Sequence, residues 1–204
     1  YLSYSRHFPR FLTTVIARLE HPAHRQALLG NLTEESGTYD AAELQTLQAA
    51  GIEREWVDHV PHPQLFRRFA VAVGVIEDEV EAVQVACWRE CFLSVLTHGS
   101  PAEAVGAMGL GTEHIVRTMY GSFVAAVERL GTIAPRDAVF FPLHTAVDDH
   151  HQATLRRIAV DYAATTEGMV DLRRGMLKAL QLRSAFWDWL HERAQDPAHA
   201  DDVP

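Results

Sequence analysis

Lysine is nearly absent from this 204-residue chain: Lys178 is the only one, and arginine supplies the rest of 18 basic residues against 27 acidic ones. The formal net charge of −9 would repel a phosphate backbone, whose binding depends on neutralisation by basic side chains, so no nucleic-acid partner is expected. Cysteine is scarce too. Cys87 and Cys91 stand four residues apart on an expected helix with their side chains pointing the same way, and they read as reduced core residues. Long apolar runs are also missing. Charge interrupts each of them, as in AVAVGVIEDEVEAVQVACWRE, so nothing approaches the roughly 20 residues that span a bilayer and no membrane segment is expected. There is no signal-peptide pattern, which makes the cytoplasm the expected compartment, although the chain opens at Tyr1 inside an expected helix and further sequence is expected to precede it. Serine and glycine linkers, internal repeats and strand-like alternation are likewise lacking.

What is present is helical periodicity almost throughout. It predicts an all-α fold, a single compact helical bundle over residues 1–195 with a frayed tail at 196–204. Helices are expected over 1–19, with a bend near Pro9, and over 22–36, 40–50, 63–74, 77–98, 101–130, 136–164 and 167–195. Pro22, Pro63, Pro101 and Pro135 fall at or just before helix starts, where the first turn needs no backbone donor.

Twelve histidines stand out against the missing lysines and direct attention to metal chemistry. In FFPLHTAVDDHH, the side chains of His144, Asp148 and His151 fall within about 60° of one another on a helix. That face begins with Phe140 and Phe141 and continues as Leu155, Ile158 and Tyr162, so three polar groups occupy core positions. Buried polar groups need partners, and one metal centre satisfies all three. Other misplaced polar residues share this property. Glu113 leads a stripe of Val116, Tyr120, Phe123 and Val127; Glu35 follows Leu28 and Leu32; His62 leads Leu65, Phe66, Phe69 and Val73. Together the six give three carboxylates and three imidazoles, a mixed set suited to iron or manganese and short of the sulfur favoured by structural zinc. Arg117, one turn after Glu113, offers a planar fork for a substrate carboxylate, and Tyr120 is expected to face the same cavity. The string Gly106, Gly109, Gly111 is in the wrong order for a dinucleotide loop and predicts loosening of the helix before Glu113.

His7-Phe8-Pro9-Arg10-Phe11-Leu12, Asn31-Leu32-Thr33-Glu34-Glu35, His62-Pro63-Gln64-Leu65-Phe66, Glu113 and His144-x3-Asp148-x2-His151 resemble, in that order, the heme-oxygenase-like di-iron oxidases and oxygenases. These are relatives of the chlamydial death-domain-associating protein and of the pyrroloquinoline-quinone synthase group. The resemblance spans about residues 1–160. It implies a heme-oxygenase-like bundle in which Glu35, His62, Glu113, His144, Asp148 and His151 are catalytic as the ligands of two Fe(II) ions that activate dioxygen as co-substrate. The chain departs from the family in two places. Some 20 extra residues, Gly37 to Pro61, separate Glu35 from His62, which leaves Glu34 open as an alternative to Glu35 and His59 as an alternative to His62. The position near Phe123, where chlamydial-type enzymes carry a lysine, has none, so a self-sacrificing aminobenzoate synthase is not expected. The leading reading is an oxygenase acting on a small amine or carboxylate by N-oxygenation, desaturation or C–C cleavage, as a homodimer supplied by an external electron donor. A metal-free quinone-synthase-type oxidase and a non-catalytic metal-binding or partner-binding helical protein are the alternatives.

Overall fold

The computed structural model describes residues 1–75 and 81–195, with side chains left undescribed at 147–150. Among the described residues every regular element is helical. In order these are α1 (Leu2–Arg18), α2 (Pro22–Glu35), α3 (Ala41–Ala49), α4 (Arg54–Val57), α5 (His62–Ala72), α6 (Val83–His98), α7 (Pro101–Val105), a π-helical stretch (Gly106–Glu113), α8 (His114–Leu130), α9 (Pro135–Ala138), α10 (Phe140–Tyr162) and α11 (Thr166–Gln195). No helix among them is long and apolar enough to cross a membrane. The expected tail at 196–204 and an expected helix start at 77 lie outside the described residues.

The apolar spacing of α1 is helical, and it buries Tyr4, Phe8, Phe11, Leu12, Val15 and Ile16 on one side while running through Pro9. At the start of α3 the Asp40 carboxylate accepts from the backbone of Ala42 and Glu43, and Glu43 reaches back to the Asp40 amide. This reciprocal cap is worth about 1 kcal/mol. The α6 stripe is Trp88, Phe92 and Leu96 at i, i+4, i+8, which turns Cys87 and Cys91 out to solvent. The expectation that they are core residues is therefore corrected, because each lies one position off the buried line.

Two apolar clusters result. The first joins α1, α6, α7, α10 and α11 around Phe11, Phe92, Leu96 and Phe186. The second is built on α5, α8 and the start of α10 (Leu65, Phe66, Val116, Phe141) and takes in Tyr39, Leu44, Leu47, Ile52 and Val57 from the extra segment. That segment closes at Gly37, whose φ of +83° and contact with the Val60 backbone suit no residue with a Cβ. His59 also has positive φ, and its side chain is 81% exposed.

Helix α11 crosses closely over α7 and the glycine-rich π stretch. A Cβ on Gly106 would lie 2.1 Å from the Leu172 carbonyl oxygen, and one on Gly175 would lie 1.9 Å from the Glu103 oxygen. The expected loosening before Glu113 is thus a π turn, which fits the glycine string to a tight crossing rather than to a nucleotide. Beside it the buried Glu103 carboxylate accepts from Lys178 at 2.6 Å and from Arg174 at 3.0 Å. Burial opposes ionisation of Glu103, but these two donors outweigh it and hold the pKa below the usual 4.5. A depressed acid contributes stability above its unfolded pKa and loses it as pH falls through the folded value. Glu103→Gln is accordingly expected to lower the melting temperature at pH 7, and the gap to the parent protein should narrow in melts recorded below about pH 4.

Candidate metal centre

The seam between the two apolar clusters holds the polar residues that the sequence placed on buried stripes. A small cavity of about 20 Å³ is lined by Glu35 from the end of α2, His62 from the start of α5, Glu113 from the end of the π stretch and His144 from α10. Tyr4, Ser5, Phe8, Val116, Tyr120 and Phe140 complete its wall. One ligand atom each from Glu35, His62 and His144 lies within 4.8 Å of the others.

The hydrogen bonds prepare these side chains for coordination. His144 Nδ1 lies 2.6 Å from the Phe140 carbonyl, which can only accept, so Nδ1 carries the proton and Nε2 keeps a lone pair. Burial, reinforced by the charge of His62, pushes the His144 pKa down to about 3 and leaves the ring neutral. His62 Nε2 is 2.7 Å from the Tyr39 hydroxyl. In the tautomer that donates Nε2–H to that phenol, Nδ1 presents its lone pair 3.0 Å from Glu35 Oε2. This buried Nδ1 makes no hydrogen bond of acceptable geometry, although the carboxylate is close. Burial works against a charged Glu35, yet His62, His144 and His151 prevail and bring its pKa to about 2. An anionic carboxylate, a neutral imidazole and an orphaned ring nitrogen converging on one point are what a divalent cation requires.

His151 lies beside them. Its Nε2 is 2.9 Å from Glu34 Oε2 and its Nδ1 is 3.9 Å from Glu35 Oε1. Burial would lower its pKa, but the Glu34 bond and the charges of Glu34, Glu35 and Glu113 raise it to about 9. Both glutamates are therefore buried at the site. Glu35 faces the cavity and Glu34 holds His151, so the choice between them that the sequence left open becomes a division of labour. The exposed His59 does not approach, which leaves His62 as the histidine at this position. Asp148 lies outside the described side chains.

Tyr120 lines the cavity as expected, with its ring centroid 5.4 Å from that of His144. Arg117 does not line it. The buried stripe runs Glu113, Val116, Tyr120, and Arg117 falls one position off it into solvent, so the expected carboxylate clamp is not at this cavity. Sequence reasoning missed Tyr39, which sits in the extra segment, and the pairing of Glu34 with His151, 117 residues apart. The Tyr39 bond fixes the ring that carries the orphaned nitrogen. Tyr39→Phe is expected to weaken iron binding about 10- to 100-fold with unchanged helical content, checked by metal titration and circular dichroism.

The chain belongs to a family of iron-containing redox enzymes, whose sequence model matches residues 1–184. Its heme-oxygenase-like fold is shared with a CADD-like protein of unknown function from Nostoc punctiforme. One crystal structure of that protein is 18% identical with a TM-score of 0.76, covering 96% of this chain and 80% of the other. A second is 16% identical with a TM-score of 0.69, covering 95% and 76%. No curated protein matches the sequence.

Proposed function

We propose that this protein is a non-heme di-iron oxidase that uses dioxygen to oxidise a small amine or carboxylate by N-oxygenation, desaturation or C–C cleavage. Glu35, His62, Glu113, His144, Asp148 and His151 are the proposed ligands. The observation that carries the reading is the convergence of Glu35, His62 and His144 from three separate helices around a buried imidazole nitrogen without a hydrogen bond. A cavity of about 20 Å³ has room for ions and none for a porphyrin, and its carboxylates suit hard cations.

Iron bound there supplies one-electron redox chemistry toward dioxygen. The chain's own residues set the conditions. The Phe140 carbonyl fixes the tautomer of His144, and the Tyr39 hydroxyl holds the His62 ring in place. Glu34 orients His151. Phe8, Val116 and Phe140 keep bulk water away, which strengthens every charge interaction inside. Anaerobic loading with Fe(II) followed by metal analysis should give two irons per chain, and dioxygen uptake should follow when substrate is added. Failure to bind iron would overturn the reading, and turnover in iron-free protein would favour a metal-free oxidase. Light scattering tests the homodimer, and the substrate's electron balance tests the need for an external donor.

A further inference from the structure

Arg183 on α11 is a buried cation, 6% exposed, in a stripe otherwise made of Leu172, Gly175, Ala179 and Phe186. Its Nη2 lies 3.5 Å from the Tyr4 hydroxyl, its Nη1 lies 3.8 Å from the Met119 sulfur, and its guanidinium carbon stands 5.4 Å from the centre of the Tyr4 ring. Among the described residues no carboxylate forms an ion pair with it. The groups it meets are a phenol and a thioether, which are neutral at pH 7 and cannot cancel the charge. A guanidinium held out of water with no ion-pair partner among the described residues is costly, and this one lines a surface groove that an anion can enter.

The route is a groove of about 550 Å³ between α8 and α11, lined by Ile115, Met119, Phe123 and Trp187 with hydroxyls from Thr118 and Ser122 and the imidazole of His114. Arg183 is the one formally charged side chain in that lining among the described residues. On its other side it donates to Tyr4, which walls the metal cavity, and Tyr120 of the same wall bonds Tyr1 at 2.8 Å. The metal cavity itself is too small for a metabolite, so a substrate body needs space beside it.

We propose that this groove binds an apolar monocarboxylate, with the hydrocarbon on Met119, Phe123 and Trp187 and the carboxylate on Arg183. One guanidinium matches one carboxylate through its planar fork. The ligand's carboxyl end is then the end turned toward the metal cavity. Its oxidation rests on the di-iron reading, whereas its binding does not.

The test uses purified protein with iron content measured in parallel. Calorimetry compares 3-phenylpropanoate and octanoate with 3-phenylpropan-1-ol and octan-1-ol. Each acid is expected to bind at least about tenfold more tightly than its alcohol, since hydrogen bonds to charged groups carry that much. Arg183→Met should abolish the preference, and Thr118→Trp, which fills the groove and leaves the cation in place, should abolish binding of acid and alcohol alike. Glu35→Gln should lose iron yet keep carboxylate affinity, which separates failure of the metal reading from failure of this one. Equal binding of acid and alcohol, acid binding that survives Thr118→Trp, or loss of acid binding in Glu35→Gln would each overturn the proposal. If Arg183→Met does not fold, the alcohol comparison and Thr118→Trp still decide.

Discussion

His144→Ala is expected to reduce iron-dependent dioxygen uptake by more than about a hundredfold and to cut iron content, while the helical fold survives. Among the described residues the His144 ring makes one hydrogen bond, to Phe140, worth about 1 kcal/mol. The void its removal leaves adjoins a cavity of about 20 Å³, so part of the loss is relaxed by water or side-chain movement. A metal held at this cavity would lose a donor whose Nε2 lone pair is left available by the Nδ1 bond to Phe140. A histidine kept for packing alone would behave in the opposite way, lowering the melting temperature while activity per folded molecule stayed level. Metal analysis, oxygen-electrode traces and thermal melts on the same preparation distinguish the two outcomes. Undiminished iron content in the variant would remove His144 from the ligand set.

Gly175→Ala should be the most destabilising glycine-to-alanine change among the described residues, at about 3 kcal/mol or more, or a fall of roughly 6 to 12 °C in melting temperature. The added Cβ would meet the Glu103 carbonyl oxygen at 1.9 Å and the Ala107 amide at 2.9 Å, and both are backbone atoms that cannot swing aside. Relief requires α11 to lift from α7 and the π stretch that follows it and ends in Glu113, so iron affinity should fall together with stability. Gly121→Ala on exposed α8 is the control. Nothing lies within 4 Å of its Cβ, and it should stabilise by up to about 1 kcal/mol. Equal effects at the two positions in chemical denaturation would contradict this account of the helix crossing.

Several features were already visible along the chain because they depend on one helix at a time. Apolar residues at i, i+4 and i+7 determined α1, prolines marked the starts of α2, α5 and α7, and Glu35, His62, Glu113, His144 and His151 stood out as polar residues on apolar stripes. Burial of a polar group is encoded in its own helix, since the period of 3.6 residues assigns each position to a face. The sequence alone thus determined an all-helical chain with a carboxylate and imidazole set inside it.

Which partner each buried group meets depends on how faces of different helices are brought together, and only the tertiary structure decided that. The crossing of α2 with α10 assigned Glu34 to His151 and left Glu35 to the cavity. The folding of the extra segment against α5 delivered Tyr39 to His62. A displacement of one residue put Arg117, Cys87 and Cys91 in solvent, since 100° of rotation separates the core-facing line from the exposed side. Arg183 carried a readable signal, a lone charge in the α11 stripe. Its meaning appeared only when α1 and α8 closed around it with phenols and a thioether and supplied no acid, because a charge acquires its energy from the groups that replace water around it.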